Sequence, residues 1–286
     1  MQHSDQRPQL EQAVLQPEPH VQSTLSGLRI SDVLVTLTAA VVVALFLKIF
    51  VLELYQIPTH SMEPKLLAGD CVIASKIEYS FGLPTYIPFT DIRIPFTWKI
   101  RLKSIQRGDI VIFDFPGETS EIFPQKHELY VKRVVGLPGD SVSVQSGRSV
   151  INGVEMLNSS LASSSVSDRR CAFLGPLIVP NKGMILHLDE HSIEQYRQII
   201  EREGSTIEQV NAEIIINGRA ADTYTVQDNY YYVLGDNRGD SYDSRFWGFV
   251  PERNIIGKPI MLYWSSTPAP SSSGKIRWER IGLIGN

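Results

Sequence analysis

Residues 129–140 read LYVKRVVGLPGD, and this stretch decides the fold class. The run from Leu129 to Val135 is strand-like, so Tyr130 and Lys132 share one face and Val131 and Arg133 the other, because successive strand side chains point to opposite faces. The Gly-Leu-Pro-Gly-Asp that follows punctuates it as a turn. Working outward, similar runs recur between Gly and Pro residues: CVIAS (71–75), DIVIFDFP (109–116), SVSVQSG (141–147), SVINGV (149–154), EIIINGR (213–219), YYYVLGDN (230–237) and KPIMLYW (258–264). VQSGRSVING, with Ser-Gly between two β-prone halves, reads as a hairpin. Such regular recurrence predicts a mainly β fold, a sandwich or a barrel-like sheet.

One helix interrupts the pattern. Across 189–211, Ile193, Tyr196, Ile199 and Ile200 recur at helical spacing, Asp189 stands as a candidate N-cap and Gly204 as a breaker. With the Ser-rich run 157–168, this helix lies between two β-rich blocks. Residues 146–228 therefore read as an inserted, smaller α/β region, and 55–145 with 229–264 as the main β domain. Residues 265–286 form a C-terminal tail that opens with the flexible spacer SSTPAPSSSG (265–274). The aromatic-rich stretch FGLPTYIPFTDIRIPFTWKI (81–100), preceded by Tyr79, has two readings: a long hairpin packed on the core, or an exposed apolar rim that dips into lipid.

Upstream, Val33–Leu47 reads VLVTLTAAVVVALFL without a charge. Extended to 29–54 it reaches the roughly 20 residues that span a bilayer core, provided Lys48 snorkels to the interface. The segment is apolar all round, unlike the striped helix of a soluble core. A cleaved signal peptide fits poorly, because a long polar stretch precedes the run and no small-residue cleavage site follows it. Residues 1–28, rich in Gln, Ser and Pro, read as a disordered tail. Flanking charge alone does not decide orientation.

The 286 residues carry 43% hydrophobic and 20% charged side chains and a formal net charge of −4, so nothing points to nucleic acid as a partner. The two cysteines, Cys71 and Cys171, match no metal spacing and read as two small buried thiols; a disulfide between them has no specific support.

Four segments carry chemistry: IPTHSMEPKLLAGDCV (57–72), RGDIVIFDFP (107–116), LYVKRVVGLPGD (129–140) and YVLGDNRGDSYDSRFWGFVP (232–251). Ser61 needs a base to become a nucleophile. His60 is its neighbour, and neighbours on an extended chain point apart, so His60 reads as a surface residue. Lys132 is a candidate base if burial strips its charge, since desolvation lowers a lysine pKa by as much as 3–5 units. It could equally be a solvated strand lysine.

In order, these segments resemble the conserved boxes of bacterial type I signal (leader) peptidases, over about residues 29–145 and 230–263. The resemblance rests on the Ser-Met-x-Pro core at Ser61, Arg-Gly-Asp-Ile-Val-x-Phe, Lys-Arg-x-Val-Gly-Leu-Pro-Gly-Asp, and Gly-Asp-Asn-Arg followed by Asp-Ser-Arg-x-Trp-Gly-Phe-Val-Pro. It implies a signal-peptidase-like β-sheet catalytic domain behind one N-terminal transmembrane helix, with Ser61 as nucleophile and Lys132 as general base. It implies an oxyanion hole of the Thr59 hydroxyl and the Ser61 backbone N–H, with Ser241 orienting the lysine. Asp243 and Arg245, and also Asp236 and Arg238, match structural positions. Ile57, Pro58, Met62, Leu66, Tyr130 and Val131 match the lining of small pockets for Ala-x-Ala-type residues. The partners implied are signal peptides of exported preproteins, the lipid bilayer and the translocation channel. Residues 1–28 would be cytoplasmic and the catalytic domain extracytoplasmic at the plasma membrane. No metal or organic cofactor is implied. His60, Lys65 and Gly239-Asp240 depart from the usual pattern without removing a reacting group.

Rival readings are a self-cleaving Ser/Lys regulator, which should carry a partner domain instead of a membrane helix, and an inactive scaffold, which should have lost Ser61 or Lys132. Three motif matches are decoys. HLDEH (187–191) fits an inverted zinc-peptidase pattern, but a strand followed by an N-cap would separate His187 from His191. Ser272-Ser273-Gly274-Lys275 fits Ser-x-x-K inside a flexible tail. DNRGDSYD (236–243) resembles a calcium loop without the required spacing.

Overall fold

The structure, a computed structural model, describes residues 30–87, 90, 92, 94, 98–118, 121–122, 124, 126–145, 148–156, 176–189, 192–210, 213–267 and 274–282. The tail 1–28, the Ser-rich run 157–168, Cys171 and His191 lie outside them. The chain divides into two compact units, 1–43 and 44–286.

Helix α1 (Ile30–Phe46) continues through one wider π turn, Leu47–Val51. Together they make 22 helical residues of mean hydropathy 2.6, with nothing in the membrane-length window buried. At 1.5 Å per residue this is about 33 Å, the thickness of a bilayer core. The Thr36 hydroxyl donates to the Asp32 carbonyl at 2.8 Å, which satisfies it without water. The helix stops three residues short of the expected boundary, because Leu52–Gln56 pairs as a strand with Cys71–Ser75. Lys48 is not free to snorkel: it pairs with Glu53, whose other oxygen holds Lys76 Nζ at 2.7 Å.

The second unit is built on a seven-stranded antiparallel sheet. Its strands are β1 (Leu52–Gln56), β2 (Asp70–Ser75), β3 (Ile110–Asp114), β4 (Leu129–Gly136), β5 (Tyr230–Leu234), β6 (Val250–Pro251) and β7 (Ile255–Ser265). Their spatial order is β1-β2-β7-β3-β4-β5-β6. Strand β7 carries three register shifts, one against β3 and two against β2; its start pairs with β3 and the rest with β2. All five residues of β3 are buried. Val111 and Phe113 pack into one core with Val134, Tyr231 and Trp247; Ile110 and Ile112 pack into another with Ile57, Met62 and Leu66. A strand covered on both faces reads as an unbroken apolar run, which is why IVIF shows no alternation.

The region between β4 and β5 does not pack by itself. The expected hairpin is Ser141–Gln145 paired with Arg148–Ile151. Val142, Ile151, Ile199, Ile200 and Ile207 share a third core with Tyr230, Tyr232 and Leu234 of β5. Helix α2 is shorter than expected, Ile193–Arg202. Its N-cap is Ser192, while Asp189 Oδ1 accepts the Ser192 N–H at 2.7 Å. Gly204 follows at φ +88, a left-handed conformation that glycine adopts freely. Ile207–Val210 then pairs as a strand with Glu213–Ile216.

The aromatic stretch is packed at its base and exposed elsewhere among the described residues. Ser80–Gly82 pairs with Lys99–Arg101 as a short hairpin base, and Tyr79 is buried. Ile92, Trp98, Ile100 and Leu102 are each at least half exposed. The C-terminal tail is anchored at 274–282: Ser266 bridges Ile276, and Arg277 and Arg280 both reach the buried Asp70 carboxylate, Arg280 Nη2 at 2.7 Å. Ser265 Oγ and the Leu67 N–H donate to the same carboxylate at 2.6 and 2.8 Å.

Candidate active site

The loop after β1 is closed by two backbone hydrogen bonds, Ile57 N–H to Asp70 O and Gly69 N–H to Ile57 O, both 2.8 Å. Met62 and Leu66 are pinned in the core beneath it. Gly69 sits at φ +86, and a Cβ there would stand 1.9 Å from the Ser266 carbonyl oxygen, so this turn admits only glycine. The loop thereby holds Ser61 over the middle of β4.

Lys132 reaches it from β4, where it pairs across the sheet with Val111. Its Nζ lies 2.7 Å from Ser61 Oγ, and both residues are buried, at 5% and 7% exposure. Burial pushes the amine down from its ordinary 10.5 to about 8; the carboxylate of Asp243 opposes this and the guanidinium of Arg245 assists it. Asp243 and Arg245 form an ion pair at 2.8 Å with almost no exposure, so their fields on Lys132 largely cancel and desolvation decides. Thr59 Oγ1 stands 3.2 Å from Ser61 Oγ. His60 is exposed and bonded to Glu63 at 2.7 Å, as a surface residue.

Behind the pair, residues 235–245 form a compact frame. Asp243 accepts from Gly235 N–H at 3.0 Å and Arg245 Nε at 2.8 Å; Arg245 Nη2 donates to the carbonyls of Arg238 and Ser241 at 2.8 and 3.2 Å. Arg238 Nε donates to the Gly235 carbonyl at 2.9 Å. Asp236 turns the other way and takes a bidentate pair from Arg133 Nε and Nη2, at 2.7 and 2.6 Å. The frame grips the nucleophile loop through Asn237 N–H to the Ser61 carbonyl at 3.0 Å.

Two expected site residues are placed differently by the structure. Ser241 is buried beside the pair, and among the described residues its Oγ makes no hydrogen bond. It is packed instead: a Cβ on Gly235 would lie 2.1 Å from Ser241 Oγ and 2.5 Å from the Ser61 carbonyl oxygen. Leu66 is not part of the cleft lining: it is fully buried, because the loop turns inward there. Ile57, Pro58, Met62, Tyr130 and Val131 do line an open cleft of about 1380 Å³ with Thr59, Ser61, Lys132 and Ser241. Reading the sequence missed Gly235 and Arg133 as parts of this frame. A glycine ending the buried run YYYVL was the available signal for the first. His187 ends a strand, Ile185–His187, and so cannot join a helical zinc motif.

Residues 30–264 match the family model described as "Signal peptidase, peptidase S26". A signal peptidase I of Pseudomonas aeruginosa is 30% identical over 255 residues, covering 85% of this chain and 75% of that protein. One of Buchnera aphidicola subsp. Acyrthosiphon pisum is 32% identical over 262 residues, covering 82% and 76%. One of Leptolyngbya laminosa is 31% identical over 229 residues, covering 80% and 77%.

Proposed function

The chain belongs to the signal peptidase family, peptidase S26, a serine peptidase with an N-terminal apolar helix fit for membrane anchoring, and from that premise we propose that Ser61 and Lys132 are its catalytic dyad. The single observation that carries the reading is the 2.7 Å contact between Lys132 Nζ and Ser61 Oγ, buried at the floor of the cleft. Neutral Lys132 accepts the Ser61 hydroxyl proton as Oγ attacks the carbonyl carbon of the scissile bond. A base so placed contributes about 10²- to 10⁴-fold in rate. The oxyanion that forms is met by the Thr59 hydroxyl and the Ser61 backbone N–H; one such donor is worth on the order of 3 kcal/mol. The protonated lysine then hands its proton to the departing amine. In the second half, neutral again, it takes a proton from the water that releases the acyl group.

The substrate is the extended end of a signal peptide, bound as an added strand between the Ile57–Met62 wall and the Tyr130–Lys132 wall, with small side chains in shallow pockets. Asp243, Arg245, Asp236 and Arg238 hold the frame, and Ser241 fills the space behind the amine. On this reading the helix fixes the enzyme in the plasma membrane. The catalytic domain lies on the extracytoplasmic face, where preproteins leave the translocation channel, and the bilayer narrows the search for the bond. Ser61→Ala and Lys132→Ala each abolish conversion of a preprotein to its mature form, followed by gel mobility, while circular dichroism stays native. Undiminished processing by either variant refutes the dyad.

A further inference from the structure

The region inserted between β4 and β5 reaches the active-site cleft through one loop. From α2, Gln198 Nε2 and Arg202 Nη2 donate to the Glu118 carbonyl at 2.7 and 3.2 Å, and Arg202 Nη2 also donates to the Gly117 carbonyl at 2.7 Å. Arg202 is buried, so this grip is set in the core and not at the surface. Glu118 itself lines the cleft. Its carboxylate accepts the hydroxyl of Tyr242, which directly follows Ser241. The Tyr242 ring stacks on Phe246 with centroids 5.2 Å apart, and Phe246 lines the cleft as well.

Tyr130 stands beside this bridge. Its ring stacks at 4.6 Å on Phe115, which leads through Pro116 and Gly117 to Glu118. Burial pushes the Tyr130 phenol up, and Glu128 and Glu118 push it further. Among the described residues no cation pairs with the Glu118 carboxylate, because the Arg202 guanidinium is turned to backbone carbonyls. Tyr242 donates to Oε2, which aims the carboxylate at the cleft and leaves Oε1 without a hydrogen bond among the described residues.

We infer that Glu118 reads the middle side chain of the small-x-small sequence before the cleaved bond, favouring a basic one, and that the inserted region holds it in place to do so. The inference rests on the dyad reading above, which lays the substrate along β4. Strand β5 pairs with β4 only from Arg133 to Gly136, so the edge at Leu129–Lys132 is open to an added strand. Side chains of such a strand alternate between its two faces. Val131 packs with Ile57 and Met62, so the first and third side chains before the bond enter the small pockets on that face. The second turns to the Tyr130 face, where Tyr242 and Glu118 meet it. Its size is not restricted there, but its charge is: the carboxylate attracts a cation and repels an anion. Glu128, exposed on the same face of β4, adds to this field from farther along the strand.

The test uses the full chain in detergent micelles and synthetic peptides with alanine at the first and third positions before the bond and Lys, Ala or Glu between them. A partly exposed ion pair is worth up to about fivefold, and repulsion of an acid about as much. Wild type is expected to favour Lys over Glu roughly five- to twentyfold in kcat/KM, chiefly through KM, and to lose most of that preference in about 1 M salt. Glu118→Gln is expected to bring the ratio below about twofold. Each ratio is taken within one enzyme, so differences in folding yield cancel. Gln198→Ala loosens the loop and leaves the carboxylate present; it is expected to lower the ratio by about twofold or more. An equal loss on all three peptides, or none on any, overturns the part given to the inserted region. A wild-type ratio near one, or an unchanged ratio in Glu118→Gln, overturns the reading of Glu118. The dyad is read separately: Ser61→Ala abolishes cleavage of all three peptides whichever way the ratios fall.

Discussion

Replacing Lys132 with methionine separates what this side chain does for chemistry from what it costs the fold. Its amine sits at about 8, against an ordinary 10.5. At 1.36 kcal/mol per pH unit that difference amounts to about 3 kcal/mol, the cost of keeping a lysine at 5% exposure. Between those two values the unfolded chain holds a proton that the native state does not, so wild-type stability climbs with pH across the window. Methionine keeps the unbranched stem and carries no charge. It forfeits the contact to Ser61 Oγ, about 1 kcal/mol. Lys132→Met is therefore expected to be inactive yet more stable than wild type by roughly 1–3 kcal/mol at pH 7. The advantage is complete below about pH 8 and fades as the pH approaches 10.5. Thermal unfolding of the detergent-solubilised full chain, followed by tryptophan fluorescence at pH 7, 8, 9 and 10, measures it. A stability difference that is constant over that range, or a variant less stable than wild type at pH 7, refutes a buried amine titrating near 8.

The same titration sets the rate. kcat/KM is expected to rise about tenfold from pH 7 to pH 9 and to level off above, as Lys132 loses its proton; a flat or falling profile in folded enzyme contradicts the base assignment. Thr59→Val should lower kcat by about 10²-fold or more with little change in KM, because the hydroxyl acts on charge that exists only in the transition state. An unchanged kcat removes Thr59 from the oxyanion site. Gly235→Ala should abolish activity and lower the melting temperature, since its Cβ would meet Ser241 Oγ at 2.1 Å and the Ser61 carbonyl oxygen at 2.5 Å; wild-type turnover would show that the frame gives way without consequence.

The strands were legible because β-branched runs end in Gly or Pro, and the membrane helix because Val33–Leu47 has no polar face. Helix α2 was legible in its apolar spacing but not in its length, since Ile207 continues the apolar pattern on a strand beyond Gly204. Ser61 and Lys132 are 71 residues apart. Neither periodicity nor propensity joins them; their pairing depends on how β4 and the loop after β1 meet in space. Leu66 was expected in a pocket on the family resemblance alone, and the turn of the loop sends it into the core. Ser241 was expected to partner the lysine on the same resemblance, and it packs tightly against Gly235. Lys48 was expected to snorkel so that the apolar run could reach spanning length, and Glu53, five residues on, takes its ammonium instead. Such losses share a cause: side-chain direction at a turn depends on contacts remote in the chain.

The clasp on Asp70 gives the order of synthesis a meaning. The carboxylate closes the nucleophile loop, is fully buried, and draws its two guanidinium partners from Arg277 and Arg280. Both lie C-terminal to the loop that they lock. Every reacting group is made before them, Lys132 and Ser61 included. Until they arrive, Asp70 is a carboxylate without its countercharges, and burying it is costly. The seat of the nucleophile is thus completed only after the dyad has been made, and a nascent enzyme held short of residue 277 has its dyad without the lock that sets it.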